Sequence, residues 1–405
     1  MAPSMARGEH GSREIRRAFR GAQGWAAETP GGRGGQIIRV TTLDASGPGS
    51  LREAVTTSGP RIVVFEVGGV IDLAKRSISI DEPFLIVAGQ TAPSPGITLI
   101  RGGIQIATHD VVIRHLRVRP GEAGAGKKSG WEVDAIATTA AYNVIVDHCS
   151  CTWATDENLS ASGPRFAGGD TVEQWRKSTS YRVTFSNCIV AECLHRSTHG
   201  KGPHSKGSLI HDNATEIAII ANLYASNVQR NPLFKGGAQG VIVNNFISNA
   251  GNRAIHYRLP ASEWEGREYA TGQMAVVGNV MQSGIDTVDG LPLVKYDGEG
   301  VFSVFLKDNL AMDRKGKEVE HFVGASPRPG RECRMLSDLP FWPAELQAMP
   351  ANDVREYVAR NVGARPWDRD EIDTRIVRAA LDGTGRIIDS EEEVGGYPVV
   401  EETRT

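Results

Sequence analysis

The chain has 405 residues, with 45 Lys and Arg against 48 Asp and Glu and a formal net charge of −3. That balance excludes a nucleic-acid binder with a generally basic surface, so any polyanion must be met by a local patch. No stretch approaches the roughly 18 apolar residues of a membrane-crossing helix, and the length suits a large core, either as two average domains or as one elongated repeat.

The first twenty residues carry Arg7, Arg13, Arg16, Arg17 and Arg20 without an apolar stretch, so they do not read as a secretory signal, and Glu9 and Glu14 weigh against a mitochondrial one. Residues 1–20 are expected to form a disordered tail. From Gln36 onward short β-branched runs follow one another, each closed by Gly, Asn or Asp: QIIRV, RIVVFEV, ITLI, DVVIRHLRV. Such runs predict strands. SLREAV, from Ser50 to Val55, is the exception, because Ser50 followed by Glu53 fits a capping box on a short helix.

The middle of the chain is self-similar: NVIVDHCS from Asn143, RVTFSNCIV from Arg182, EIAIIANLY from Glu216, GVIVNNFIS from Gly240, QMAVVGNVM from Gln273 and VFSVFLKDNL from Val301. Each segment brings His148, Asn187, Asn222, Asn245, Asn279 or Asn309 to a bend. Separations of 23 residues upward, as from Asn222 to Asn245, predict an all-β chain wound as a parallel β-helix, with Asn side chains bonding from rung to rung. One coil cannot bury its own apolar face, whereas stacked coils can, so residues 21–340 are expected to form a single elongated domain. Four longer loops, 121–133, 162–180, 195–206 and 258–272, are candidates for a binding face.

After Met312 the rhythm fades. Residues 344–362 and 367–381 read as helices stopped by Gly363 and Gly383, within an extension, 341–405, packed on the β-helix. Five cysteines, an odd number in a chain this large, are read as buried thiols rather than a disulfide framework.

Three groups of residues can carry chemistry. The first is acidic: Glu132 and Asp134 leave one side of an extended segment, and Asp156 and Glu157 follow one coil later. Oxygen ligands from adjacent rungs suit a hard cation such as calcium; the alternative is four solvated loop acids. Asp147, inside a strand pattern, reads as structural. The second group is the run from Leu194 to His211, where His195, His199, His204 and His211 match no tight ligand pair on a helix, and Lys206 opens an apolar strand. The third is QRNPLFKGG, Gln229 to Gly237, which sets Arg230 and Lys235 about Pro232 in a loop leaving a strand. Trp131, Trp175 and Tyr257 are candidates for sugar stacking, with burial as the other reading.

These motifs taken together resemble the pectate lyase superfamily, polysaccharide lyase family one, a family of right-handed parallel β-helices. The resemblance runs through AFRGAQGW, PGGRGGQIIRVTTLDASGPGSLREAV, VVFEVGGVIDL, AGQTAPSPGITL, VIVDHCSCTWATDENLS, HSKGSLI, QRNPLFKGG and GTGRIIDSEEEVGGYP. It implies Ca2+ at Asp134 and Asp156, with Glu132 and Glu157 as further acids. Ser160 stands where many members carry another Asp. The resemblance also implies Arg230 as the base, with Lys206 of the His204-Ser205-Lys206 motif as its catalytic partner. Lys235, His204 and Trp175 are then substrate contacts, and Lys235 replaces the family's usual second arginine, keeping the charge without the bidentate fork.

The implied function is calcium-dependent β-elimination in α-1,4-linked polygalacturonate or a related uronate polymer. The expected protein is a monomer with an acidic polysaccharide as partner, no nucleic acid and no membrane. Such a substrate implies secretion, although no signal is visible in the sequence. Two other classes stand beside this one: glycoside hydrolysis on the same fold, which needs a catalytic Asp pair, and a non-catalytic carbohydrate-binding β-helix.

Overall fold

Short β-branched runs separated by bend residues cross one face each before the chain turns, and from Arg61 to Val323 each circuit lays down three strands. A computed structural model describes residues 16–405. The strands stack into three sheets of 11, 9 and 10 members; every named pairing is parallel except that of Thr403–Arg404, which adds antiparallel to Val67–Asp72 at one end. The result is the expected right-handed β-helix. Like residues stack in register: Val111, Val144, Val183 and Ile217 form one buried column of the eleven-stranded sheet, and Ile113, Val146, Phe185 and Ile219 another. Each coil thereby caps the apolar face of the one before it.

The predicted ladder is present, shifted by one residue in its first two rungs. Asn222, Asn245, Asn279 and Asn309 are buried, and each of the first three donates its side-chain N–H to the next Oδ1, at 2.9, 2.9 and 3.1 Å. The same Oδ1 atoms accept the backbone N–H of the preceding ladder residue. His148 and Asn187 do not join this column. They stand one position earlier, at the left-handed bend (φ 49° and 52°) also used by Ala221, Asn244 and Asp308. Their successors Cys149 and Cys188 take the ladder places: Cys188 N–H donates to Asn222 Oδ1 at 2.8 Å, and Cys149 N–H to Cys188 Sγ at 3.5 Å. The bend needs one residue that tolerates positive φ and the ladder one small polar residue, and the two needs fall on adjacent positions.

Asn245→Ala is expected to lower stability by about 3 kcal/mol or more, because it strands Asn222 N–H and Nδ2, the Asn279 acceptor and the Ile219 carbonyl in a dry interior. Denaturant titration would check this, and a loss below about 1 kcal/mol would show the ladder to be dispensable.

The short helix forms at Leu51–Thr56, with the Ser50 side chain accepting from Glu53 N–H; the expected capping box is only half made, because the Glu53 carboxylate accepts Gly49 N–H at 2.7 Å in place of Ser50 N–H. Cys149, Cys151, Cys188 and Cys193 are buried free thiols, and Cys333 is a half-buried one. The first C-terminal helix is shorter than expected, Ala351–Asn361, since Pro350 cannot donate an N–H and disfavours helical Met349. The second, Glu371–Asp382, ends at Gly383 in the left-handed conformation. Both bury an apolar face against the ten-stranded sheet. Buried Arg117 and Arg119 reach out from that sheet to Asp370 and Asp373 and fix the second helix.

Residues 1–15 of the expected tail lie outside the described residues. Residues 16–20 are packed: Phe19 lies 3.8 Å beneath the Arg114 guanidinium and Arg17 pairs with Glu345, so the boundary drawn at residue 20 falls inside a docked segment. No helix of the described residues is long and apolar enough to cross a membrane.

Candidate active site

The residues singled out from four separate segments meet where the chain enters the nine-stranded sheet. Asp134 precedes the strand Ile136–Thr139, and Asp156 and Glu157 precede Leu159–Ser162. Lys206 precedes Leu209–Ile210, and Arg230 precedes Leu233–Lys235. Parallel bridges pair Glu157 with Lys206 and Lys206 with Gln229. Backbone bonds tie these rungs together, Ala135 N–H to Glu157 O at 3.1 Å, Asn158 N–H to Lys206 O at 3.2 Å and Gly207 N–H to Gln229 O at 3.0 Å. Positions far apart in sequence thus become neighbours at the spacing of adjacent strands, about 4.8 Å.

Carboxylate oxygens of Asp134, Asp156 and Glu157 all lie within 4.8 Å of one another. Asp134 Oδ1 accepts the Glu157 backbone N–H at 2.9 Å. Burial, joined by the Asp156 charge, holds the Asp134 carboxyl well above the usual carboxylate range, against the pull of Arg230. Asp156 behaves oppositely: burial raises it, but His204, His199 and Arg230 together hold it below its ordinary value. The buried Glu157 carboxylate is ion-paired with Arg230. Three crowded oxygen donors, one of them kept from ionising freely, form a donor set that suits a hard divalent cation.

Glu132 is not in this trio. Its Oε1 accepts Gly200 N–H at 2.9 Å and lies 3.4 Å from His199 Nδ1, so it anchors the 195–206 loop. Ser160, which stands where many family members carry another Asp, is buried, and its hydroxyl accepts Leu209 N–H at 3.3 Å.

The histidine run folds back on itself through Gly200, Gly202 and Pro203, with Gly202 N–H bonded to His199 O and His204 N–H to His195 O. His199 and His204 stack at 3.6 Å between centroids, and His204 Nε2 lies 2.7 Å from Asp156 Oδ1. Their planes differ by only 13°, and both Nε2 atoms face the same carboxylate oxygen, His199 Nε2 at 3.6 Å from Asp156 Oδ1, so that the three residues bring one ligand atom each within 4.8 Å of the others. The arrangement is a stacked support for Asp156, which sequence spacing gave no means of seeing.

Lys206 is 7% exposed, and its ammonium makes no ion pair among the described residues. Burial brings its pKa down to about 8, partly offset by Cys193 and Asp156. Arg230 occupies a left-handed bend (φ 64°), and its carbonyl accepts Ser208 N–H at 2.6 Å. Burial lowers its pKa, while Asp156 and Asp134 oppose that shift.

Lys235 ends its strand beside exposed Arg258 of the next rung. It is bound to Glu263 and lies 3.5 Å from Asp212, and Arg165 shares both acids. Trp175 is not a stacking platform. It is 3% exposed, on the helix Val172–Ser178, and packs edge-on against Phe166 and Trp264. The loop carrying it folds down onto loop 258–272 and needs an apolar joint there. Tyr257 is also buried, its hydroxyl accepting Gly237 N–H at 2.8 Å, while Trp131 stays half-exposed near Lys75. Arg165, Asp212, Arg258 and Glu263 were not anticipated. The parallel register would have pointed to Arg258 once Lys235 was placed.

No protein-family model matches the chain. Curated relatives do. A probable pectate lyase C of Aspergillus terreus is 32% identical over 384 residues, covering 94% of this chain and 81% of the relative. Its counterpart in Aspergillus oryzae is 31% identical over 385 residues, with the same coverage of each. Among solved structures, Jun a 1, the major allergen from cedar pollen, superposes with a TM-score of 0.60 at 16% identity, covering 84% of this chain and 92% of that one. A pectate lyase bound to a hexasaccharide gives 0.54 at 13% identity, covering 88% and 99%. The structures share the β-helix, and the sequence relatives carry the assignment: this chain belongs to the pectate lyase family.

Proposed function

We propose that this polysaccharide lyase cleaves α-1,4-linked polygalacturonate or a related uronate polymer by calcium-dependent β-elimination, with Arg230 as the base. The observation that supports it best is the file of carboxylates and cations, Asp134, Asp156 with Glu157, Lys206 and Arg230, on consecutive rungs of one sheet. Asp134 and Asp156 would hold the cation, with Glu157 divided between it and Arg230. Bound calcium supplies positive charge to the uronate carboxylate as the neighbouring C-5 loses its proton.

The protein's own groups account for the remainder. Lys206, unpaired and buried, faces a substrate carboxylate as the nearest cation with no carboxylate of its own to satisfy. Arg230 accepts the C-5 proton, and the glycosidic oxygen leaves from C-4, leaving a double bond between the two carbons. Burial of the guanidinium favours its neutral form and the Glu157 pairing opposes it, so the reaction is expected to favour alkaline conditions. Work on an extracellular polymer implies that the enzyme acts outside the cell.

Incubation with polygalacturonate and calcium is expected to release unsaturated products absorbing in the ultraviolet, and a chelator to suppress them. New reducing ends without that absorbance would instead indicate hydrolysis.

A further inference from the structure

Next to the catalytic file, two cations are cancelled by two acids. Arg165 Nε lies 3.1 Å from Asp212 Oδ1, Lys235 Nζ lies 3.5 Å from Asp212 Oδ2, and both cations pair with the same oxygen, Glu263 Oε2. The four residues arrive from four different segments: Lys235 ends its strand, Arg165 enters from the 162–180 loop, Asp212 follows the strand Leu209–Ile210, and Glu263 closes the short turn Ala261–Glu263.

The two acids are held differently. Asp212 is wholly buried and accepts the Trp264 indole N–H at 2.7 Å, so it is part of the core. Glu263 keeps 35% of its side chain exposed, between exposed Ser262 and the exposed Glu265–Gly266 pair. It is also near enough for its charge to act on the Arg230 guanidinium. A free uronate entering beside Lys235 must therefore either displace the Glu263 carboxylate or bring a third negative charge to two cations. A methyl-esterified residue needs neither.

We propose that Glu263 is a specificity-determining residue: by neutralising the Lys235–Arg165 pair it makes the sugar subsite at Lys235 take an uncharged, methyl-esterified galacturonate in preference to a free one. The substrate class rests on the lyase reading above. The catalytic subsite at Lys206 still requires a carboxylate-bearing ring, so the polymer that fits both is a partially esterified one.

The test compares the full-length wild type with Glu263→Gln and Arg165→Gln, using kcat/KM on de-esterified polygalacturonate and on pectin of known intermediate esterification. Glu263→Gln is expected to shift the ratio toward polygalacturonate by roughly tenfold, the scale of one uncompensated charge in a half-buried site. Arg165→Gln, which leaves two acids against Lys235 alone, is expected to move the ratio the other way. Calorimetric titration with trigalacturonate and with its methyl ester reads the same preference without turnover, and Glu263→Ser, on an exposed turn, provides a second variant there. Unchanged ratios together with unchanged binding preference would overturn the proposal. If the wild type cleaves neither polymer, the lyase reading fails, and the calorimetric comparison still decides the role of Glu263.

Discussion

Arg230→Ala is expected to reduce β-elimination by on the order of 10²–10⁴, the range for loss of a positioned general base. The prediction is strong because nothing near Arg230 duplicates it. Lys206 lies on the preceding rung, Lys235 is neutralised by Glu263 and Asp212, and Arg258 is on the following rung and exposed. A second effect must be separated from the chemistry. Removing Arg230 leaves buried Glu157 without its ion-pair partner, at a cost on the order of 3–5 kcal/mol. The double variant Arg230→Ala with Glu157→Gln removes the stranded charge. It is expected to recover most of the lost thermal stability and none of the lost turnover. Substantial turnover in the double variant would remove Arg230 from the role of base.

Lys206→Ala is expected to cost roughly 10²–10³ in kcat/KM, the range for removing one preorganised charge from a transition state. Its pH dependence also separates two roles. With a pKa lowered to about 8 by burial, the side chain is a cation below that value and a neutral amine above it. If it grips a carboxylate, as proposed here, its contribution declines above about pH 8, or somewhat higher once a substrate carboxylate is bound beside it. If it takes the proton instead, its contribution grows over the same interval. Lys206→Arg distinguishes the two in one pH–rate profile, because arginine stays charged throughout. Retained activity with a flatter alkaline limb is expected; an inactive Lys206→Arg beside an active Arg230→Ala would transfer the base to Lys206.

Much of this site was legible before any coordinates. Asp134 and Asp156 could be assigned to neighbouring coils from their spacing and Lys206 to the mouth of a strand, whereas Arg230 joined them through the family resemblance: its segment reads as a loop leaving a strand, and the structure sets Arg230 just before one, Leu233–Lys235, with Lys235 inside it. The ladder was legible because equivalent positions superpose in a parallel stack, although it was displaced by one residue at His148 and Asn187: bend and ladder positions adjoin, and both accept Asn. What was not legible lies in the loops. Glu132 has the spacing of a ligand but is turned to Gly200 and His199 by the fold of another loop. Trp175 has the side chain of a sugar platform but is spent joining two insertions.

The division has a physical cause. A parallel β-helix converts sequence period into spatial register, so the sequence by itself determined the coil architecture, the asparagine ladder and the order of charged groups along the nine-stranded sheet. Contacts between inserted loops follow no period. Only the tertiary structure decided that Glu157 is paired with Arg230, that His199 and His204 stack behind Asp156, and that Glu263 closes the charge balance around Lys235 and Arg165. Each of those contacts depends on how one irregular segment lands on another, which is set by packing across the surface and not by any repeat along the chain.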